Sequence, residues 1–105
     1  MEGCFCWVSC RDRDEALRIG RAVVGERLAA SANLLGGMTS VYRWKGAVEE
    51  GPEFALVLRT GPALADRLVA RVRELHSYEC PAVVVLPIAA GNPDYLGWLA
   101  AETEG

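Results

Sequence analysis

The chain has 105 residues, 51% of them hydrophobic and 24% charged, with a net charge of −3 at neutral pH. That size suits a single domain over 1–105 with its own core and no need of disulfide or metal staples. The acidic balance argues against nucleic acid as a partner, and no run approaches the roughly 18 consecutive apolar residues of a membrane span.

Met1 to Cys4 lack the basic region and cleavage site of a signal peptide, so a cytoplasmic location is expected, with Cys4, Cys6, Cys10 and Cys80 as free thiols. Cys4 to Cys10 reads as a strand with Cys4, Cys6, Val8 and Cys10 on one face and Phe5, Trp7 and Ser9 on the other. Asp12 to Glu15 has the D-x-x-E form of a capping box, in which Asp12 caps the helix and Glu15 reaches back. The helical pattern then runs to about Ala30. Ala16, Ile19 and Val23, with Leu17, Val24 and Leu28, form its apolar stripe.

Ala32 to Trp44 reads as a long strand with a bulge or bend at Gly36-Gly37, followed by a turn at Lys45-Gly46 and a break at Gly51-Pro52. The third strand is expected over Phe54 to Arg59. Pro62 opens a second helix whose apolar row is Leu64, Leu68, Val72 and Leu75. Ala82 to Leu86 is an apolar strand ended by Pro87, and Asn92-Pro93 starts a short last helix through Leu96 and Leu99.

The order predicts an α+β fold on the ferredoxin-like split βαβ plan: β-α-β-β-α-β plus a C-terminal helix, with an antiparallel sheet covered on one face. The strands Phe54 to Leu58 and Ala82 to Leu86 are apolar on both faces. The second face of the sheet is therefore expected to be buried against other copies of the chain.

Four stretches resemble the CutA (divalent-cation tolerance) family. Glu26 to Ala30 followed by Asn33 is similar to the end of the family's first helix, and Thr39 to Gly46 to its T-S-x-Y-x-W-x-G strand and turn. Leu75-His76-Ser77-Tyr78-Glu79-Cys80-Pro81 resembles L-H-P-Y-x-x-P with Ser77 in place of proline. Gly91 to Trp98 resembles the closing G-N-x-x-Y-L-x-W. The resemblance implies a tight homotrimer formed through the sheets, a role in the response to copper and other divalent cations, and no enzymatic activity.

The chain departs from the family pattern at Ser31, where a cysteine is frequent, and at Ala82, where glutamate is usual. The resemblance further implies a metal site built from a first-strand thiol and a histidine pair. The thiol position aligns with Val8 and the first histidine with Leu75, which leaves His76 as the retained metal ligand.

Read from the residues themselves, Cys4, Cys6 and Cys10 are an alternative set of soft ligands for Cu(I) or zinc, although thiols on alternate strand residues also pack as small hydrophobes. His76, at a helix C-terminus, could equally cap that helix or form hydrogen bonds. Glu49, Glu50 and Glu53 form an acidic turn, open to a hard cation or to water. Tyr42, Trp44, Tyr78, Ser31 and Arg59 are assigned to an intersubunit cleft. The leading expectation is a trimeric divalent-cation tolerance protein that binds copper or another divalent ion. The alternative is a trimeric interaction scaffold or small-molecule sensor with no direct metal role.

Overall fold

The computed structural model describes residues 2–103; Met1, Glu104 and Gly105, which the single-domain reading includes, lie outside the described residues. Strand β1 (Cys4–Cys10) alternates as its sequence dictates. Cys4, Cys6, Val8 and Cys10 are fully buried, Phe5 is exposed, and Trp7 and Ser9 are half-buried on the opposite face. Helix α1 (Arg13–Gly25) begins at Asp12, whose Oδ1 accepts the Glu15 N–H at 2.9 Å.

α1 stops short of the expected Ala30. The Leu28 amide donates to the Val23 carbonyl and the Arg27 amide to that of Val24, with Arg27 at φ 62. These are the two bonds of a Schellman motif, here with arginine in the left-handed position that glycine usually takes. Leu28 reaches the core from beyond the helix end, so its apparent place in the helical stripe reflects this stop.

β2 (Ser31–Trp44) and β3 (Ala47–Thr60) form one long antiparallel hairpin. Lys45 and Gly46 both have positive φ, 49 and 84, as a two-residue turn matched to strand twist requires. Strands of this length, at ~3.3 Å per residue, account for the molecule's 44 Å long axis. The bulge expected at Gly36-Gly37 is a register shift between Leu35 and Met38, with Gly37 at φ 74. A Cβ on Gly36 would meet the Phe54 ring at 2.6 Å.

Gly51-Pro52 does not break the chain, and the third strand begins at Ala47 rather than Phe54. β1 pairs with β3 only from Phe54 to Thr60, so residues 47–53 are bonded to β2 alone. Pro52 therefore lies in a stretch of strand with a free edge, where a missing N–H is tolerated. Residues 38–53 form a two-stranded arm extending past the four-stranded part of the sheet.

A 3-10 turn at Pro62–Leu64 leads into α2 (Ala65–Leu75), which buries Leu68 and Val72 beside Leu64. β4 (Val83–Pro87) and α3 (Pro93–Glu102) complete the chain. The sheet order is β2-β3-β1-β4 with every pair antiparallel, which is the expected plan plus the C-terminal helix. Val8, Ile19, Val23, Leu56, Leu58, Leu68 and Val72 lie in the core between the sheet and the two main helices. Within a single chain the other sheet face is open: Phe5, Leu35, Val84 and Leu86 are 37–54% exposed, and Arg59 lies over the Phe5 ring at 4.7 Å. Among the described residues, no helix is long and apolar enough to cross a membrane.

Candidate metal centre and adjoining groove

Three chain segments meet where β1 ends, α1 starts and α2 stops. Glu15, in the first turn of α1, has no exposed side-chain surface. The capping box is only half realised, because Asp12 caps the helix while the Glu15 carboxylate turns elsewhere. Its Oε1 accepts the Arg11 N–H at 2.9 Å and its Oε2 the Ser77 N–H at 2.9 Å. Burial raises the carboxyl pKa, but hydrogen bonds from Arg11 and Ser77 outweigh it and hold it below the ordinary value. Arg18 closes the junction, donating to the Leu75 carbonyl at 2.9 Å with its Nη2 3.7 Å from Glu15 Oε2.

His76 ends α2, and its ring is fully buried. Nδ1 lies 3.1 Å from the Tyr78 N–H and must accept from it, which leaves Nε2 to donate to the Ser9 carbonyl at 2.8 Å. The imidazole thus ties α2 to β1 and does not cap its own helix as a cation. Nε2 is 3.9 Å from Glu15 Oε1. The Cys10 thiol completes the group: one donor atom each from Cys10, Glu15 and His76 lie within 4.8 Å of one another. Burial first, then the Glu15 and Glu53 carboxylates, push the Cys10 thiol up to about 12.

The structure thus joins one member of each ligand set read from the sequence and adds Glu15, which that reading used only as a cap. The first-strand thiol that meets His76 is Cys10, not the Val8 position, because β1 delivers its last residue to the end of α2. Cys4 and Cys6 do not belong to this group. They are spread along the buried face of β1, where Cys4 Sγ lies 3.6 Å from the Thr60 carbonyl, and burial pushes Cys6 up to about 12. No disulfide links the four cysteines.

Beside the cluster an open groove of about 750 Å³ runs between the hairpin arm and the segment after α2. Tyr42 and Trp44 line it from β2, and Glu53, Tyr78, Cys80 and Ala82 from the rest of the chain. The Tyr78 hydroxyl donates to Glu53 Oε2 at 2.7 Å, and its ring packs on the His76 imidazole at 4.7 Å between centroids. Burial, followed by the hydrogen bond to Glu53, raises the phenol pKa. The expected cleft therefore divides within one chain. Tyr42, Trp44 and Tyr78 converge, whereas Ser31 and Arg59 face each other at the far end of the hairpin, where Arg59 Nη1 donates to Asn33 Oδ1. Ser31 borders a separate hollow with Leu17, Val24 and Leu34. Of the acidic turn, Glu49 and Glu50 are exposed on β3, and only Glu53 enters this site.

The profile of the CutA1 divalent ion tolerance protein family matches residues 4–102. The chain is 43% identical over 98 residues to mouse Protein CutA, a match covering 93% of this chain and 55% of that protein; it thus spans about half the length of this mammalian relative. It is 43% identical over 96 residues to the divalent-cation tolerance protein CutA of Thermus thermophilus, covering 91% and 93% of the two chains. The crystal structure of CutA from Xylella fastidiosa superposes with a TM-score of 0.95 at 32% identity, covering 99% of this chain and 100% of that one. The family profile over residues 4–102 and the superposition over nearly the whole chain agree, and the chain belongs to the CutA1 divalent ion tolerance family.

Proposed function

We propose that this chain is a homotrimeric divalent-cation tolerance protein that binds copper or a similar borderline divalent ion at Cys10, Glu15 and His76, and that it acts by binding rather than by catalysis. The observation that carries this reading is the convergence of a thiol, an imidazole and a carboxylate at one buried point. That donor set suits zinc or copper and is poorly matched to a hard cation. The tolerance named for the relatives fits a protein that holds ions. Binding requires the Cys10 thiol to lose its proton and His76 to turn Nε2 away from the Ser9 carbonyl, so affinity is modest and each ion displaces a proton. The apolar open sheet face supports assembly, and the number three follows the family resemblance. Four cysteines without a disulfide suit a reducing compartment such as the cytoplasm.

Competition titration with a chromophoric chelator tests the ion site. Zinc or copper should bind at one ion per chain, with affinity falling about tenfold for each pH unit from about 8 to about 6 as the displaced proton competes. His76→Ala and Cys10→Ser should abolish binding, while Cys4→Ser with Cys6→Ser leaves it intact. A His76→Ala variant that binds as the parent does would remove the ion from this cluster.

One observation favours a second reading. Both ring nitrogens of His76 and both oxygens of Glu15 already have partners within the chain, as a purely structural clamp requires. The groove would then serve an interaction scaffold or small-molecule sensor, and the absence of stoichiometric uptake in the same titration selects it.

A further inference from the structure

Two backbone amides lead from the cluster to the groove. Glu15 Oε2 holds the Ser77 N–H at 2.9 Å, and His76 Nδ1 holds the Tyr78 N–H at 3.1 Å. The segment after α2 therefore takes its position from two of the proposed ligand side chains. Its far end is tethered by the Tyr78 hydroxyl, 2.7 Å from Glu53 on β3. Tyr78 and Glu53 line the groove, and neither belongs to the donor set of the cluster.

An ion cannot enter the cluster and leave this segment as it is. Donors at ~2.0–2.3 Å from a tetrahedral ion stand about 3.3–3.8 Å apart. The three present donors are spread over as much as 4.8 Å and must close together. His76 Nε2 has to leave the Ser9 carbonyl, and Glu15 has to draw an oxygen that holds the Arg11 or the Ser77 amide toward the ion. Each of these movements shifts a group that positions Ser77 or Tyr78, while Glu53 holds the tyrosine in place.

We infer that ion occupancy of the cluster is coupled to the shape of the groove through Ser77 and Tyr78, with the Tyr78–Glu53 hydrogen bond holding the ion-free arrangement. This inference rests on the proposed ion-binding role. Such coupling is reciprocal: the tether opposes the ion, and the ion loosens the tether and moves the tyrosine wall of the groove. The groove is then a surface whose shape reports whether the chain carries an ion.

The test is the zinc affinity of the full chain, its Tyr78→Phe and Glu53→Gln variants, and the double variant; zinc does not oxidise the thiols. Each single substitution should tighten binding about fivefold, in the range of known couplings, and the double variant no further, because both remove the same bond. In the parent, zinc should also speed amide hydrogen exchange across residues 77–80. Tyr78→Phe carries the test of the bond, because Glu53→Gln also removes a carboxylate whose charge acts on the Cys10 thiol; if Tyr78→Phe fails to fold, the exchange measurement on the parent decides. Single variants with unchanged or weaker affinity, additive effects in the double variant, or unaltered exchange would overturn the coupling while leaving the ion site standing. A parent chain that takes up no zinc ends both.

Discussion

Replacing Glu15 by alanine should lower stability by about 2–4 kcal/mol at neutral pH, measured by urea unfolding at fixed protein concentration. The substitution leaves the Arg11 and Ser77 amides facing a buried void, and an unsatisfied buried donor costs about 1–3 kcal/mol. It also removes the group that holds the start of α1 against the end of α2. The carboxyl pKa is lower in the folded chain than in the unfolded one, where it is about 4.3. Its contribution is therefore complete above that unfolded value and disappears as pH falls through the lowered folded value. Acid should destabilise the parent chain below about pH 4 in part through this group. A Glu15→Gln variant should lose that part of the pH dependence and keep a fraction of the stability. A loss below about 1 kcal/mol in the alanine variant would show that water reaches these amides and that the junction is not dry.

Charging the open face of the sheet should have the second large effect. Val84 and Leu86 project from β4 beside Trp7 and Phe5 of β1, all on the face opposite the two main helices. If copies of the chain bury this face, Val84→Asp with Leu86→Asp places two carboxylates in each interface, where desolvation and mutual repulsion act together. The parent should sediment as one trimeric species at micromolar concentration, and the double variant as a monomer or as an unfolded chain. A parent that sediments as a monomer, or a charged variant that remains trimeric, would remove this face from the interface.

Much of the fold was legible because its signals are local. Alternating cysteines mark β1, i and i+4 leucines and valines mark α2, and Lys45-Gly46 marks the tip of the hairpin. Gly51-Pro52 was misleading for a physical reason. Proline breaks a strand only where its missing N–H would face a partner, and the one-dimensional pattern does not say that β1 ends before reaching it. The end of α1 was hidden because arginine, not glycine, takes the left-handed position at Arg27.

The candidate site was harder to read because it is made of distant parts. Cys10 and His76 were each singled out, but on separate grounds, since only the folding of α2 against the end of β1 brings them together. Glu15 carried a signal of its own. It lies four residues before Ile19 and eight before Val23, which places a carboxylate on the buried row of α1. The D-x-x-E pattern offered an exposed use for the same residue and masked that placement. Ser31 and Arg59 are assigned with Tyr42 and Trp44 to a cleft between subunits, and within one chain the long hairpin places the two pairs at opposite ends, so only neighbouring copies could bring them together.

The hairpin arm has a consequence for how the molecule becomes ordered. A two-stranded ribbon is marginal in water by itself, and residues 38–53 gain no third strand from their own chain. Val41, Tyr42, Trp44 and Val48 are all exposed on it. The four-stranded part of the sheet can close on its two helices first, as an independent cooperative unit, with the ribbon left as the least protected segment. If copies of the chain assemble as proposed, the ribbon gains its apolar cover only as subunits meet, the Tyr78–Glu53 bond being a tie within one chain, and dilution then loosens it before the core feels any change.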